Sequence, residues 1–226
     1  MIILIEQKSK NLITFLNPYS YLLARQEKDL FEKFNIKIDG ILLVKVLKLF
    51  GYKDIERESF DMTSLAPIVF KEAIEQNKTL YLIGTKPKII DKAIENILKE
   101  FPALNIVGFR DGYIKENERE ALYKSIKNLN PDIVICGMGT PLQEQFLVDL
   151  QETGWIGIGY TCGGFLHQTA GNIQYYPKWI DKHNIRWIYR IYDEPKLFKR
   201  YFWEYPKFFW YFIYDFLIYK TTKAKL

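Results

Sequence analysis

The chain has 226 residues, of which 48% are hydrophobic and 26% are charged, and its formal net charge is +5. This balance is typical of a folded globular protein and excludes a disordered or collagen-like chain. Two cysteines, Cys136 and Cys162, stand in or beside apolar strand segments, which argues against a disulfide framework and favours reduced, buried thiols. The length predicts one large α/β domain, with or without an appendage.

Strands and helices alternate along the chain. The predicted elements are strand Leu12–Leu16, helix Pro18–Lys28, strand Ile36–Ile38, a helix ending at Phe50, a helix capped by Asp61 or Thr63 and running to about Gln76, strand Leu80–Ile83, helix Lys88–Glu100, strand Asn105–Val107, helix Glu116–Leu129, a strand at Ile133, a helix opening at Pro141 and strand Trp155–Tyr160. This order predicts a mostly parallel sheet with helices on both faces.

A glycine turn between a buried strand and a helix is the most informative segment, at residues 136–145. Gly137 and Gly139 allow a tight turn and a close approach of the backbone to a ligand. Thr140 is the expected N-cap of the next helix and Pro141 its first residue. Free N–H groups at that helix end would bind a phosphate or carboxylate. A purely structural turn is the alternative.

Several candidate site residues follow predicted strands, where ligands bind in parallel sheets. They are Asp39, Gly84, Tyr113, Gly137 to Thr140 and Gly163. Asp39 is the candidate general base, because it follows an apolar strand in a setting that would raise the pKa of its carboxyl group. Its alternative role is the N-cap of the helix starting at Ile41, and the two roles are compatible.

Several common site types are missing from the sequence. There is no G-x-x-x-x-G-K-[ST] loop, and Leu142 stands where a dinucleotide-binding fingerprint has its third glycine. No Asp-x-Asp pair is present to hold a metal and a diphosphate. The only histidines, His167 and His183, argue against a histidine metal cluster.

The last 42 residues, 185–226, carry nine Lys/Arg against four Asp/Glu, so the whole excess charge lies there. They also hold 16 of the 37 Phe, Trp and Tyr residues. A basic and aromatic surface is typical of contact with anionic lipid headgroups. The apolar run 208–219 is too short to span a bilayer and contains Asp215. Nucleic-acid binding is disfavoured, since no glycine-flanked RNA motif occurs; a helical hairpin packed on the body stays open.

Matching motifs run in order along nearly the whole chain. They are Asn17-Pro18, Asp39-Gly40, Phe101-Pro102, Val107-Gly108, Asp111-Gly112-Tyr113, Pro131-Asp132, Gly137 to Glu144, Gly163-Gly164, Ala170-Gly171, Pro177-Lys178-Trp179, Trp187 to Arg190, Glu194-Pro195 and Arg200-Tyr201. With them the chain resembles the WecG/TagA/CpsF family of bacterial glycosyltransferases (glycosyltransferase family 26). The resemblance implies a Rossmann-like core at residues 1–184 and a membrane-associating helical appendage at residues 185–226.

The same resemblance implies the reaction. It is the inverting transfer of a hexose-type sugar from a UDP-sugar to a polyprenyl-diphosphate-linked saccharide, without metal or cofactor, in bacterial cell-surface polysaccharide synthesis. Asp39 matches the family's catalytic base. The implied substrate-binding residues are Asn17, Gln143, Glu144, Tyr113, Gly137, Gly139, Thr140, Gly163, Gly164, His167, Arg190 and Arg200.

Individual roles follow from the matched positions. Asn17 and Gln143 would contact sugar hydroxyls, although Asn17 is equally suited to cap the helix that starts at Pro18. Tyr113 would stack on uracil, with ordinary packing as its alternative. Arg190 and Arg200 would offset the negative charge of a diphosphate.

Five positions depart from the family pattern and cluster around the last strand and the appendage. His167 replaces an aspartate, Tyr175-Tyr176 an Arg-Ala pair, Arg186 a glutamate and Leu197 a basic residue. We expect these changes to alter which sugar or acceptor is used, with the transfer chemistry intact.

The expected partners are a UDP-sugar, a lipid-linked acceptor and a membrane surface, with no nucleic acid. The oligomeric state stays open, and a homo-oligomer is one alternative, because members of the resembled family tend to self-associate. Met1 to Ile5 is apolar, but Glu6 and Lys8 end the run, so we expect no signal peptide. The expected location is the cytoplasm, peripheral on the inner face of the cell membrane. An epimerase-like nucleotide-sugar enzyme and an inactive scaffold of a polysaccharide assembly complex are the alternatives.

Overall fold

The computed structural model describes residues 10–173, 175–177, 179–180 and 185–223. Its strands are β1 Leu12–Leu16, β2 Asn35–Ile38, β3 Thr79–Gly84, β4 Asn105–Arg110, β5 Ile133–Gly137 and β6 Ile158–Thr161. Its helices are α1 Pro18–Gln26, α2 Lys28–Phe31, α3 Ile41–Leu49, α4 Leu65–Glu75, α5 Ile89–Glu100, α6 Glu116–Leu129, α7 Leu142–Glu152, α8 Phe165–Gly171, α9 Arg186–Asp193 and α10 Tyr205–Lys223. A 3-10 turn, Pro195–Leu197, and a π-helical turn, Arg200–Glu204, connect α9 to α10.

These six strands form one sheet in the order β2-β1-β6-β5-β3-β4, and every pairing is parallel. Strand β5 is buried along its whole length, because helices cover both faces of the sheet. The connection from β3 leads to its neighbour β4 at one end of the sheet, and the connection from β5 leads to its neighbour β6 in the opposite direction. The topological switch point, where α/β sheets bind ligands, therefore lies between β3 and β5.

Two hydrophobic layers enclose the sheet. One contains buried residues of α1, α2, α3, α6, α7 and α10, and the other contains those of α4, α5 and α8. This arrangement confirms the predicted α/β fold with helices on both faces.

The C-terminal helix α10 packs one face into the first of these layers. Phe208 and Phe212 are completely buried there, and Phe216 nearly so. The Tyr21 ring of α1 lies 5.2 Å from Phe208, and the Phe50 ring lies 5.2 Å from Phe212 and 4.6 Å from Phe216. Aromatic burial of this kind makes α10 part of the same core as the sheet.

A polar contact reinforces the same packing. The Asp215 carboxylate accepts hydrogen bonds from the Tyr21 hydroxyl at 2.7 Å and from Arg25 Nε at 2.8 Å. The opposite face of α10 is exposed, and we call its residues the outer aromatic face: Phe209, Trp210, Tyr211, Ile213, Tyr214, Leu217 and Ile218. Across the described helices, none combines the length and apolar character needed to cross a bilayer.

Several predicted boundaries are wrong. Strand β4 continues beyond Val107 to Arg110, and helix α1 ends at Gln26 rather than at Lys28. Helix α4 begins at Leu65 with Ser64 at its N-cap, because the Asp61 carboxylate is engaged by neighbouring side chains and the Thr63 amide. Strand β6 begins only at Ile158, because the Trp155 side chain is buried and donates its indole N–H to a backbone carbonyl.

Candidate active site

The predicted site residues come together along one edge of the sheet. All strands are parallel, so Asn17 after β1, Asp39 after β2, Tyr113 beyond β4, Gly137 of β5 and Gly163 beyond β6 lie at the carboxyl edge. Strands β2 and β5 are three places apart in the sheet order. Neighbouring strands are about 4.8 Å apart, which separates Asp39 from the glycine turn by about 14 Å.

Asp39 directly follows β2, and its amide donates to the Leu16 carbonyl at 2.7 Å. Gly40 has a φ of +105°, and a Cβ at that position would lie 3.3 Å from Asn17 Cβ. Gly40 is the N-cap of α3, without any capping side chain, so the alternative role of Asp39 as that N-cap is wrong. Asp39 Oδ1 instead lies 3.3 Å from Arg57 Nη2.

The surroundings of Asp39 suit a general base. Its side chain is 35% exposed and therefore still accessible. Burial of its carboxyl group raises the pKa of Asp39, and the positive charge of Arg57 partly opposes this rise. An accessible carboxylate with a raised pKa accepts a proton more readily than one in water. Among the described residues, the charged and titratable groups that interact electrostatically with Asp39 include Arg57, Asp61, Arg186, Arg190, Tyr176, Tyr201 and Tyr205.

Arg57 is a neighbour of Asp39 that sequence reasoning missed. It lies in the loop between α3 and α4, where its Nη2 is also 3.1 Å from Asp61 Oδ2. Asp61 was expected only as a helix cap, yet it lies 2.9 Å from Arg186 Nη1 as well. The run of alternating charges around Arg57 is typical of a solvated loop, so the sequence gives no indication that Arg57 lies beside Asp39.

Asn17 caps helix α1, as its alternative role predicted. Its Oδ1 accepts from the amides of Tyr19 at 3.0 Å and Ser20 at 3.1 Å, and Ser20 Oγ accepts from the Asn17 amide at 2.8 Å. Among the described residues, Asn17 Nδ2 makes no hydrogen bond. That nitrogen is the part of the side chain left for a substrate, and such a role stays a prediction.

A buried polar network lies beneath the glycine turn. Glu144 is completely buried, and its Oε1 accepts from Thr14 Oγ1 at 2.7 Å, Gln143 Nε2 at 3.1 Å and Thr140 Oγ1 at 3.2 Å. Gln143 Oε1 accepts from the Gly163 amide at 3.2 Å. The network ties the first turn of α7 to β1 and to the loop after β6. Sequence spacing could not distinguish this internal role from substrate contact.

The start of α7 differs from the prediction. The helix begins at Leu142, its N-cap is Pro141, and no side chain caps it. Thr140 is not the N-cap, because its hydroxyl donates into the buried network instead. The Gln143 amide donates to the Gly139 carbonyl at 3.0 Å, so this backbone N–H is used within the turn rather than left for a phosphate.

Glycines are required where the central strands end. A Cβ at Gly84 would lie 2.4 Å from the Gly137 carbonyl oxygen, and one at Gly137 would lie 2.8 Å from Cys162 Sγ and 2.9 Å from the Gly163 carbonyl oxygen. Gly139 has a φ of +83°, which favours glycine. The backbone at the switch point is therefore packed more closely than any side chain would allow.

Two exposed side chains lie near the end of β3, where the Gly112 amide donates to the Thr85 carbonyl at 2.9 Å. Tyr113 is 66% exposed, so its alternative role in ordinary core packing is wrong; its amide donates to Asp111 Oδ1 at 2.8 Å. His167 is exposed on α8, and its Nδ1 lies 3.4 Å from Thr85 Oγ1, directly after β3. Both remain accessible to a ligand at the switch point.

The two candidate arginines of the C-terminal segment occupy different places. Arg190 Nη2 lies 3.6 Å from where a Gly164 Cβ would be, and 3.2 Å from Glu194 Oε1. Within the described part of the chain, the buried Arg190 Nε has no hydrogen-bond partner. The Arg200 guanidinium lies 4.0 Å over the ring of Tyr19, close to the end of β1. The structure thus brings both cations to the carboxyl edge.

In the ranges that the structure describes, no group of three or more His, Cys, Asp or Glu side chains is arranged to hold a metal ion. His183 lies outside those ranges. Cys136 and Cys162 are buried free thiols, which confirms their predicted burial.

Comparisons with known proteins identify close counterparts. The profile of the Glycosyl transferase WecG/TagA/CpsF family matches residues 1–222. A UDP-Gal:alpha-D-GlcNAc-diphosphoundecaprenol beta-1,4-galactosyltransferase of Shigella boydii is 36% identical over 212 residues, 94% of this chain and 90% of the relative. An N-acetylglucosaminyldiphosphoundecaprenol N-acetyl-beta-D-mannosaminyltransferase of Bacillus subtilis (strain 168) is 29% identical over 205 residues, 87% of this chain and 77% of the relative.

A protein with the same mannosaminyltransferase name from Bacillus spizizenii (strain ATCC 23059 / NRRL B-14472 / W23) is 30% identical over 165 residues, 72% of this chain and 62% of the relative. The family match spans both the sheet and the C-terminal helices, and it confirms the resemblance inferred from the motifs. The chain belongs to the WecG/TagA/CpsF family of glycosyltransferases.

Proposed function

We propose that this enzyme transfers galactose from UDP-galactose to N-acetylglucosaminyl-diphosphoundecaprenol, with Asp39 as the general base. The named substrates are those of the Shigella boydii relative, which matches 94% of this chain at 36% identity, against 29% and 30% for the two mannosaminyltransferases. The observation that carries the proposal is the position of Asp39. An accessible carboxylate with a raised pKa stands on the same sheet edge as the glycine turn.

One carboxylate is sufficient for the inverting reaction. Asp39 removes the proton from the acceptor hydroxyl, and the oxygen attacks the anomeric carbon of the donor sugar from the face opposite UDP. The bond from that carbon to the phosphate oxygen breaks, and UDP leaves with the electron pair. General-base catalysis of this kind contributes a factor of about 10²–10⁴ to the rate. Inversion converts the α-linked donor into a β-linked product.

The donor nucleotide would lie along the edge, between the switch point and Asp39. Tyr113, two-thirds exposed, supplies a ring on which uracil stacks. The diphosphate then crosses the ends of β5 and β6 towards β1. Arg190 beside Gly164 and Arg200 over Tyr19 provide positive charge for the leaving group without a metal ion. The separation of about 14 Å between the glycine turn and Asp39 suits an extended nucleotide sugar.

A membrane surface is the proposed partner of α10. The outer aromatic face is solvent-exposed, and the last 42 residues carry the whole excess of positive charge. Aromatic side chains rest at the headgroup level, and Lys and Arg attract anionic lipids. Peripheral binding at the inner face of the cell membrane would bring the sheet edge to a lipid-linked acceptor. A self-associated form that covers part of this face is the competing proposal for the same surface.

Purified enzyme would be tested with UDP-galactose, UDP-N-acetylmannosamine and UDP-N-acetylglucosamine, each with the lipid acceptor, by UDP release and product mass. We expect UDP-galactose to be the preferred donor. Asp39→Asn should retain UDP binding in calorimetry and lose at least about 100-fold in transfer. Glu58→Gln is the matched control, because Glu58 pairs with Lys37.

Three results would count against the proposal. Preference for UDP-N-acetylmannosamine would remove the galactose assignment, and full turnover by Asp39→Asn would remove Asp39 from the mechanism. A requirement for a nicotinamide cofactor, with no sugar transferred, would instead identify an enzyme that modifies nucleotide sugars.

A further inference from the structure

A chain of ion pairs leads from the C-terminal segment to the candidate base. Arg186, the first residue of α9, lies 2.9 Å from Asp61 through its Nη1. Asp61 lies 3.1 Å from Arg57 Nη2, and the same nitrogen lies 3.3 Å from Asp39 Oδ1. Arg57 is therefore shared between two carboxylates, of which one is the base and the other is held by the C-terminal segment.

Asp61 is strongly fixed in its charged form. Burial alone would raise its pKa, but hydrogen bonds from Ser59 and Thr63, together with the charges of Arg186 and Arg57, lower the pKa of Asp61. Arg186 also donates to Thr63 Oγ1, and its guanidinium lies 4.7 Å over the Tyr176 ring. These contacts leave Arg186 little freedom to move away from the carboxylate.

We propose that Arg186 is a positioning residue for glycosyl transfer, which acts on Asp39 through Asp61 and Arg57. By neutralising Asp61, Arg186 leaves the Arg57 guanidinium to balance and orient the base. The inference rests on the proposed role of Asp39, and it assigns a task to one of the positions where this chain departs from the family pattern.

The charged and titratable groups that face Asp39 determine whether a substitution raises or lowers its pKa. Those are Arg57 and Asp61 from the loop before α4, Arg186 and Arg190 from α9, and the hydroxyl groups of Tyr176, Tyr201 and Tyr205. Removal of Arg186 deletes a positive charge and draws Arg57 towards Asp61, so protonation of Asp39 becomes easier. Removal of the Asp61 charge has the opposite effect, because both arginines then act on Asp39.

The test is a pH titration of the Asp39 carboxyl carbon by NMR in the full-length protein labelled with ¹³C-aspartate, with Asp39→Asn to assign the signal. We expect the midpoint to rise in Arg186→Ala and to fall in Asp61→Asn. General loosening of the structure would move both midpoints in one direction. In the pH profile of transfer, the rate of Arg186→Ala should fall roughly threefold or more below that of the wild type on the acid side, and by less on the plateau. A change of this size is common for residues coupled within one ion-pair network.

Two variants serve as controls. Arg186→Lys keeps the positive charge and should leave the midpoint close to that of the wild type. Arg25→Ala removes the ion pair that fastens α10 to the body, at a place unrelated to Asp39, and should leave the midpoint unchanged. An unchanged Asp39 midpoint in both Arg186→Ala and Asp61→Asn would overturn the inference, as would an equal shift in Arg25→Ala. The NMR titration needs no turnover, so it tests the coupling between Arg186 and Asp39 separately from the reaction. A wild-type protein inactive on every donor would contradict the proposed function, and the NMR midpoints would still show whether the coupling exists.

Discussion

The two faces of α10 should respond to substitution in opposite ways. Phe212 is completely buried, with its ring 5.2 Å from Phe50 and 5.8 Å from Tyr21. Trp210, two positions earlier, is 77% exposed. Both are large aromatic residues of one helix, so Trp210→Ala is a matched control for Phe212→Ala.

The expected cost of Phe212→Ala follows from its burial. Truncation of a fully buried Phe costs about 3–5 kcal/mol, through lost transfer free energy and the cavity left behind. For a protein of this size, 1 kcal/mol lowers the melting temperature by roughly 2–4 °C, so a fall of roughly 6–20 °C is expected. Trp210→Ala should change the free energy of unfolding by less than about 0.5 kcal/mol, as surface substitutions usually do.

Urea unfolding and thermal melts measure stability, and flotation with anionic vesicles measures membrane binding. We expect Phe212→Ala to lose stability, and Trp210→Ala to keep stability and bind vesicles more weakly. If Phe212→Ala melted like the wild type, α10 would not belong to the core as described. If Trp210→Ala floated as well as the wild type, the outer aromatic face would not be the lipid contact.

Three further predictions concern the sheet edge. Gly137→Ala should lower the free energy of unfolding by about 1–3 kcal/mol through overpacking and should weaken UDP binding in calorimetry. Gly171→Ala is its control, because no atom lies within 4 Å of the added Cβ, and it should leave UDP affinity unchanged. The same UDP affinity in both variants would contradict the close packing at Gly137. Burial raises the pKa of Glu144 above its ordinary 4.5, so the folded state keeps a proton that the unfolded chain releases as pH rises. Wild-type stability should therefore fall relative to that of Glu144→Gln as pH rises above about 4.5, and parallel pH curves in urea unfolding would refute this. Transfer should survive dialysis against EDTA, since arginines supply the positive charge; activity lost and then restored by Mg²⁺ or Mn²⁺ would show that a metal is needed.

Much of the fold could be predicted because its signals are local. Strand β1 and helix α6 have the predicted bounds, since apolar periodicity and flanking turn residues define them. The carboxyl edge followed from parallel topology alone. The predicted starts of α4 and β6 were wrong, because Asp61 and Trp155 make tertiary contacts that no local pattern reveals.

The candidate site also combines residues with a local sequence signal and residues placed only by tertiary contacts. Asp39 was recognisable as a carboxylate between a strand and a glycine. Arg57 was not, because its partners Asp39 and Asp61 are brought to it by the fold. Burial of Glu144 beneath the turn likewise depends on Thr14, which is distant in sequence. Sequence reasoning therefore identified candidates whose signals are local, and it missed side chains such as Arg57 that the fold brings to them.

Asp215 fixes the rotation of α10 about its own axis. Aromatic residues surround this helix on every side, so composition alone allows several rotations of similar hydrophobic gain. A carboxylate that must meet Tyr21 and Arg25 selects one of them. Asp215, on the packed face of α10, thus determines which aromatic rings the opposite face exposes. Moving this carboxylate by one residue would rotate the helix and expose a different set of rings to solvent.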